Sequence, residues 1–323
     1  MSGDFGPHVI VAASLDFLLE YPDTRLLLAG DAGLIRSFLG PDVDNRIQII
    51  PAESVVGMGE KPSYALRQRK DSSMYRAIDA VARGDADAVV SAGNTGALMA
   101  MGRYLLHTHH GIDRPAIATR IPTRGGHCYM LDLGANVDCS AEHLCQFALL
   151  GASLSEALDH KPFPRVALLN VGEEEVKGNE QVKLASRLLK ERSGINYVGY
   201  VEGDGIFSGK VDVVVCDGFV GNVALKSSEG LARLLGATLG RAFEGSWYRR
   251  LVGLLARPVI GELKGVMDPS RHNGASLLGL QGTVVKSHGS ADRNCFAHAL
   301  RQARLEAIQQ VPAITNAKLA QLL

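Results

Sequence analysis

The chain has 323 residues, and its 34 Lys and Arg balance its 34 Asp and Glu, so net charge gives no reason to expect nucleic-acid binding. No apolar run reaches the ~20 residues that a membrane-spanning helix needs, and residues 1–7 lack the basic and apolar regions of a signal peptide. The five cysteines include no C-x-x-C pair. We therefore expect a cytoplasmic globular protein with reduced thiols.

The order of the predicted elements indicates an α/β fold. Helices are predicted over 9–20, 32–39, 74–83, 97–106, 141–158, 180–192 and 224–239, the last of which closes the regular part. Strands are predicted over 25–30, 46–50, 87–90, 116–119, 129–133, 165–171, 195–201 and 211–216, and residues 53–73 are predicted to be a loop. Strands that alternate with helices, several of them apolar on both faces, predict a largely parallel sheet covered by helices. We expect a single α/β domain over residues 1–323.

Residues 89–99 predict the end of a buried strand, a glycine turn and the start of a helix. The turn contains Gly93, Asn94 and Thr95. The first amides of a helix are unpaired and lie at its positive end, so they attract anions such as phosphate. The alternative is an ordinary turn capped by Asn94 or Thr95. The stretch fits neither G-x-G-x-x-G nor the P-loop pattern, so it does not indicate a dinucleotide or ATP site.

Four predicted strands end in loops rich in Gly, Asn and Asp, at residues 91–96, 132–138, 170–179 and 217–222. Because ligands of parallel sheets bind beyond the carboxyl ends of the strands, we expect these loops to converge on a small polar anion. Lys177 could bind phosphate oxygens or stabilise an oxyanion; alternatively it is a solvated lysine paired with Glu173 or Glu174. Asn222, with Lys226 one turn later, could act similarly or could be a helix cap.

A basic amphipathic pattern distinguishes residues 241–257. One stripe carries Phe243, Trp247, Leu251, Leu254 and Leu255, beside Arg249, Arg250 and Arg257. Such a segment is typical of a helix that lies on a membrane surface; a helix at a dimer interface is the alternative. We expect a protruding helical segment over residues 241–270.

The motifs resemble those of the bacterial phosphate acyltransferase family (PlsX) over nearly the whole chain. The matching runs lie at 91–97, 132–138, 168–178, 212–226, 273–280 and 285–289. The resemblance implies transfer of a fatty acyl group from acyl carrier protein to inorganic phosphate, which gives acyl phosphate for phospholipid synthesis. It also implies a homodimer that uses no cofactor or metal, with a fold similar to that of isocitrate and isopropylmalate dehydrogenases.

The resemblance also assigns expected roles. Lys177 and Asn222 are expected to be catalytic, and the residues expected to bind phosphate or thioester are Gly93, Asn94, Thr95, Asn136, Asp138, Asp217, Lys226, Lys286 and His288. Contact with a membrane, or with acidic acyl carrier protein, is expected from Trp247, Leu251, Leu254, Arg249 and Arg250. The product would then pass to a downstream membrane glycerol-3-phosphate acyltransferase.

One departure from the family concerns the first residues. Family members begin with a strand that leads into an Asp-Ala-Met-Gly-Gly-Asp-like motif, whereas this sequence starts inside the motif, at residues 1–4. We therefore expect an empty strand position in the sheet. The rival functions are a phosphotransacetylase-like enzyme that uses coenzyme A thioesters, a nicotinamide dehydrogenase, and a non-catalytic scaffold docked on the membrane.

Overall fold

A computed structural model describes residues 1, 3–267 and 273–322, and two sheets lie within these residues. The small sheet pairs β1 (Leu26–Gly30) and β2 (Ile47–Pro51) in parallel. The large sheet comprises β3 (Ala88–Ser91), β4 (Ala116–Thr123), β5 (Gly126–Leu131), β6 (Arg165–Leu169), β7 (Asn196–Val201), β8 (Val213–Val215), β9 (Ala275–Leu278) and β10 (Thr283–Lys286). Its spatial order is β3-β10-β9-β4-β5-β8-β6-β7.

The helices of the described residues cover both faces of the large sheet. They are α1 (Pro7–Glu20), α2 (Ala32–Leu39), α3 (Pro62–Gln68), α4 (Ser73–Ala82), α5 (Thr95–Leu106), α6 (Ala141–Asp159), α7 (Glu180–Glu191), α8 (Gly218–Glu244), α9 (Trp247–Leu255), α10 (Arg257–Met267), α11 (Arg293–Ile308) and α12 (Val311–Leu322). Seven of them begin at an Asn, Asp or Ser whose side chain accepts a hydrogen bond from the amide three residues later. These caps satisfy amides that the helices leave unpaired.

The predicted fold class is confirmed, because parallel pairings outnumber antiparallel ones and helices pack on both faces. Successive residues of a strand point to opposite faces: Val213 packs in the layer under α6, and Val214 packs in the layer under α5. Both layers consist of buried aliphatic side chains, as the doubly apolar strands predict. No helix in the described ranges is long and apolar enough to cross a bilayer.

Three local predictions were wrong. The predicted loop 53–73 contains α3, which begins at Pro62, a residue favoured in the first turn of a helix. The regular part does not close at residue 239, because β9 and β10 lie inside the large sheet and α11 and α12 follow. The segment 241–257 is divided among the end of α8, α9 and the start of α10, and residues 268–270 of the predicted protrusion lie outside the described residues.

The expected empty strand position stays a prediction, and the region that it concerns is bordered by β1 and β3. These strands do not pair, and a cavity of about 630 Å³ is lined by both of them. Met1 lies at one end, since a Cβ on Gly30, the last residue of β1, would be 2.7 Å from its Cγ.

Candidate active site

The predicted ligand loops lie on two opposite edges of the large sheet. β5, β8 and β6 are parallel to one another, so loops 132–138, 170–179 and 217–222 share one edge, which we call the Asp217 edge. β3 runs in the opposite direction, because three antiparallel pairings (β10–β9, β9–β4 and β4–β5) separate it from β5. Loop 91–96 and the loop after β10 share the other edge, the Ser91 edge. The expectation that all four loops converge is therefore wrong.

The two edges are too far apart to hold one small ion jointly. Three strands separate β3 from β5, and four spacings of about 4.8 Å put the two loop groups about 19 Å apart across the sheet. Lys286 and His288 lie with Gly93, Asn94 and Thr95 on the Ser91 edge, whereas the remaining predicted ligands lie on the Asp217 edge.

Asp132 organises the Asp217 edge from inside the protein. Its buried carboxylate accepts hydrogen bonds from the amides of Ile117 (2.9 Å), Ala135 (3.1 Å) and Asn136 (2.6 Å), and from Asn136 Nδ2 (2.9 Å). Burial raises the pKa of Asp132, and the hydrogen bonds oppose that shift. Asn136 Nδ2 also donates to Pro115 O. The predicted ligand Asn136 is thus buried with its side-chain donors in use, and it holds the loop.

The start of α8 packs against this loop with almost no clearance. A Cβ on Gly221 would lie 1.9 Å from Asp132 O, and one on Gly218 would lie 2.6 Å from Asn136 O. Asp217 caps the helix by accepting from the amide of Val220 (2.9 Å). The predicted ligand Asp217 is therefore a cap, and the two glycines allow the helix to start directly over the loop.

Asn222, on the first turn of α8, is half-buried. Its side chain faces Gly134, since a Cβ there would lie 3.6 Å from Asn222 Cγ. Lys226, one turn later, is exposed, as are Lys177 and Asp138 on the neighbouring loops. In the part of the chain that the structure describes, none of these four side chains has a hydrogen bond or ion pair.

The Ser91 edge bears out the capping alternative for Asn94. Asn94 Oδ1 accepts from the amide of Ala97 (3.0 Å), while Nδ2 donates to the carbonyls of Gly57, Met58 and Glu60. Asn94 therefore caps α5 and fixes residues 57–60 instead of offering free donors. The amide of Gly93 donates to Ser91 Oγ (3.2 Å), so it too has a partner, and Thr95 is half-buried at the start of α5.

Lys286 and His288 extend the Ser91 edge beyond β10. Burial lowers the pKa of Lys286, the negative charge of Asp4 opposes this shift, and the resulting pKa is about 8. Lys286 Nζ donates a hydrogen bond to Ser287 O. The Asp4 amide donates to Gly289 O (2.8 Å). His288 Nδ1 accepts from the amide of Ser290 (3.2 Å), so the ring presents Nε2 outward as its N–H when neutral.

Comparison with known proteins decides the family. A family model described as "Fatty acid synthesis protein" matches residues 1–314. A "Phosphate acyltransferase" from Pseudomonas paraeruginosa is 54% identical over 326 residues, which cover 100% of this chain and 97% of the relative. Another, from Alkalilimnicola ehrlichii, is 55% identical and covers 100% and 95%. The chain belongs to this family of phosphate acyltransferases. It is an enzyme that transfers acyl groups.

Solved structures share the fold of this acyltransferase at low sequence identity. The EutD phosphotransacetylase from Staphylococcus aureus superposes with a TM-score of 0.59 at 16% identity, covering 94% of this chain and 91% of that one. A branched-chain phosphotransacylase from Enterococcus faecalis gives 0.60 at 14% identity, covering 95% and 97%. At this identity the likeness shows the fold alone.

Helices α9 and α10 of the acyltransferase form an exposed apolar surface. In the sequence they lie outside the loops of both edges. Trp247 is 78% exposed, Leu255 74% and Val259 71%, and Leu251 and Leu254 are about half exposed. No residue of α9 is buried. Residues 245–260 include three arginines, Arg249, Arg250 and Arg257, and no acidic residue.

Sequence reasoning missed three residues that organise these edges. Asp132 lay inside the predicted ligand loop 132–138, but it is a buried loop anchor. Asn170, which closes the loop of Lys177, and Asp4, which lies beside Lys286, were not singled out. Each lies within two residues of a glycine, but only the contacts of its side chain distinguish it from an ordinary turn residue.

Proposed function

We propose that the enzyme moves a fatty acyl group from the thioester of acyl carrier protein to inorganic phosphate, and releases acyl phosphate for phospholipid synthesis. The observation that carries the proposal is the 54% identity with a phosphate acyltransferase over the whole chain. The Asp217 edge supports it, because Lys177, Asn222 and Lys226 all follow strands that end at this edge. Their side chains can bind an oxyanion, and none of them has a partner among the described residues.

Phosphate is already nucleophilic near neutral pH, so the protein has to position it and stabilise the charge that develops. In our proposal Lys226 binds the phosphate beside the start of α8, and a phosphate oxygen attacks the thioester carbonyl. Holding both reactants in one geometry supplies much of the acceleration. Lys177 and the amide of Asn222 then stabilise the tetrahedral oxyanion.

The intermediate collapses when its C–S bond breaks, and the electron pair leaves with the thiolate of the carrier. A thiolate needs no strong acid to leave, so the scheme assigns no proton donor. Asp138 stays a predicted substrate contact on the same edge. Gly93, Thr95, Lys286 and His288 are left out of the reacting centre, because they lie on the Ser91 edge.

The test is phosphate-dependent release of carrier thiol from acyl carrier protein loaded with a palmitoyl thioester. We expect Lys177→Ala to lower kcat about 100-fold, the effect of removing one oxyanion donor, with little change in thermal stability because the side chain is exposed. Lys210→Ala is the matched control, since Lys210 is an exposed lysine before β8, at the opposite end of that strand. Wild-type kcat in Lys177→Ala would remove Lys177 from the mechanism.

The choice of acyl donor is tested in the same assay. Turnover with palmitoyl coenzyme A at the rate of the carrier thioester would favour the phosphotransacetylase-like alternative. Absence of phosphate-dependent turnover with either donor would favour the scaffold alternative.

We further propose that α9 and α10 lie on the membrane surface, and that the enzyme is a cytoplasmic homodimer. The exposed apolar side chains and the arginines of residues 245–260 suit an anionic bilayer surface. This location would place acyl phosphate close to a glycerol-3-phosphate acyltransferase in the membrane.

A further inference from the structure

The loop that carries Lys177 is closed by one side chain, that of Asn170. Asn170 follows β6, and its amide donates to Val201 O (2.9 Å) at the end of β7. Its Nδ2 donates to Gly172 O (3.0 Å) and to Lys177 O (3.2 Å). The Asn170 amide group therefore joins the beginning of the loop to the residue that carries the ammonium group.

Two glycines make this arrangement sterically possible. Gly178 has a φ of +92°, and a Cβ there would lie 2.2 Å from Asn170 Oδ1. A Cβ on Gly172 would lie 2.8 Å from Lys177 Cγ. The loop thus packs against the Asn170 side chain at Gly178 and against the Lys177 side chain at Gly172. A larger residue at either glycine would displace the side chain beside it.

The remaining contacts of the loop hold its outer part and leave the lysine free. The amide of Lys177 donates to Glu174 O (3.0 Å), and Glu175 pairs with Lys190 of α7. Within the described residues, neither Glu173 nor Glu174 forms an ion pair with Lys177, so the solvated-pair alternative is not observed. The backbone of Lys177 is fixed, while its ammonium group has no partner among the residues that the structure describes.

We propose that Asn170 is a positioning residue for Lys177, and that its two donated hydrogen bonds set where the ammonium group meets the oxyanion. The inference rests on the proposed function, since it assumes that Lys177 stabilises the transition state. Fixing the backbone of a long side chain lowers the entropy that is lost when its end group binds. Displacement of a catalytic group by about 1 Å can cost up to about 100-fold in rate.

The test is a double-mutant cycle with Asn170→Asp, Asn170→Ala and Lys177→Ala in the thiol-release assay. Asp keeps the size of Asn but cannot donate to the two carbonyls, and Ala removes the donors without adding charge. We expect each change at residue 170 to lower kcat about 10- to 100-fold with KM for the carrier thioester nearly unchanged, because the lost interaction forms only in the transition state. In the Lys177→Ala background neither should lower kcat further.

A matched control is Asn196→Asp. Asn196 Nδ2 also donates to a carbonyl, that of Phe163 (3.1 Å), at the amino end of β7, so kcat should remain that of the wild type. If Lys177→Ala lowers kcat but the changes at Asn170 have no effect, or multiply with it in the double variants, the positioning role is overturned. If Lys177→Ala keeps wild-type kcat, the proposed role of Lys177 fails first, and the positioning role fails with it.

Discussion

The buried carboxylate of Asp132 gives the most direct test of how the Asp217 edge is built. Asp132→Asn keeps the shape of the side chain but replaces one acceptor oxygen with an NH₂ group. The four donors around it are the amides of Ile117, Ala135 and Asn136, and Asn136 Nδ2. In the variant, the amide oxygen can accept from the two donors on its own side of the side chain. The two donors on the other side would face the NH₂ group, which cannot accept from them.

Each buried donor left without a partner costs about 1–3 kcal/mol. Two such donors give about 2–6 kcal/mol, and removal of a buried charge offsets part of this cost. We therefore expect Asp132→Asn to lower the free energy of unfolding by about 2–3 kcal/mol in urea denaturation, and to reduce acyl transfer because α8 starts on this loop. The exposed Asp138→Asn is the control, with a change within about 0.5 kcal/mol.

A loss of stability no larger than that of Asp138→Asn would refute this reasoning. A carboxyl group that is protonated in the folded protein carries one donor and an amide side chain carries two, so the substitution would then cost less than it does for the carboxylate.

Two further predictions concern the stability of the fold at acid pH and the contact of helices α9 and α10 with a membrane. Burial would raise the pKa of Asp212, but hydrogen bonds from Arg165 and a neighbouring lysine outweigh it and lower the pKa below 3.8. These pairs therefore stabilise the fold above about pH 4 and lose their effect as the pH falls further. Asp212→Asn should therefore flatten the dependence of Tm on pH below about pH 4. An unchanged slope of Tm against pH would contradict this prediction. Trp247→Ala with Leu251→Ala should weaken binding to anionic vesicles at least about tenfold, since burying a large apolar side chain contributes about 1.5–3 kcal/mol, whereas Leu19→Ala, at an exposed leucine of α1, should not. Equal cosedimentation of both variants would exclude membrane contact through α9.

Elements with strong local signals could be predicted closely from the sequence. α2 was predicted at its observed bounds, Ala32–Leu39, because Asp31 caps its start and Gly40 follows its end. α6 differs from its prediction by one residue at its end, and its start is fixed by Ser140. β9 and β10 have only four residues each, too few for an alternating pattern to be recognised, and they pair with strands far away in the chain.

The sequence could not indicate the direction of β3 relative to β5. That direction decides which residues share one site. Each predicted ligand loop does follow a strand, as the glycines and small polar residues indicated, and its role in binding stays a prediction. Their grouping into one site assumed that all strands run the same way. The two missed strands lie between β3 and β4, and their two antiparallel pairings leave β4 parallel to β3. The antiparallel pairing of β4 with β5 then reverses β5, β8 and β6 relative to β3.

Local sequence also could not separate an asparagine that binds a ligand from one that holds a loop. Asn94, Asn136, Asn170 and Asn222 all follow a strand and lie within two residues of a glycine. The first three donate to backbone carbonyls that tight turns would otherwise leave without partners, and a buried carbonyl without a donor is costly. Asn222 makes no side-chain hydrogen bond to any described residue, and it is only half-buried. Its amide is therefore the one of the four that remains available to an oxyanion, which is the physical reason for assigning the catalytic role to Asn222 rather than to its neighbours.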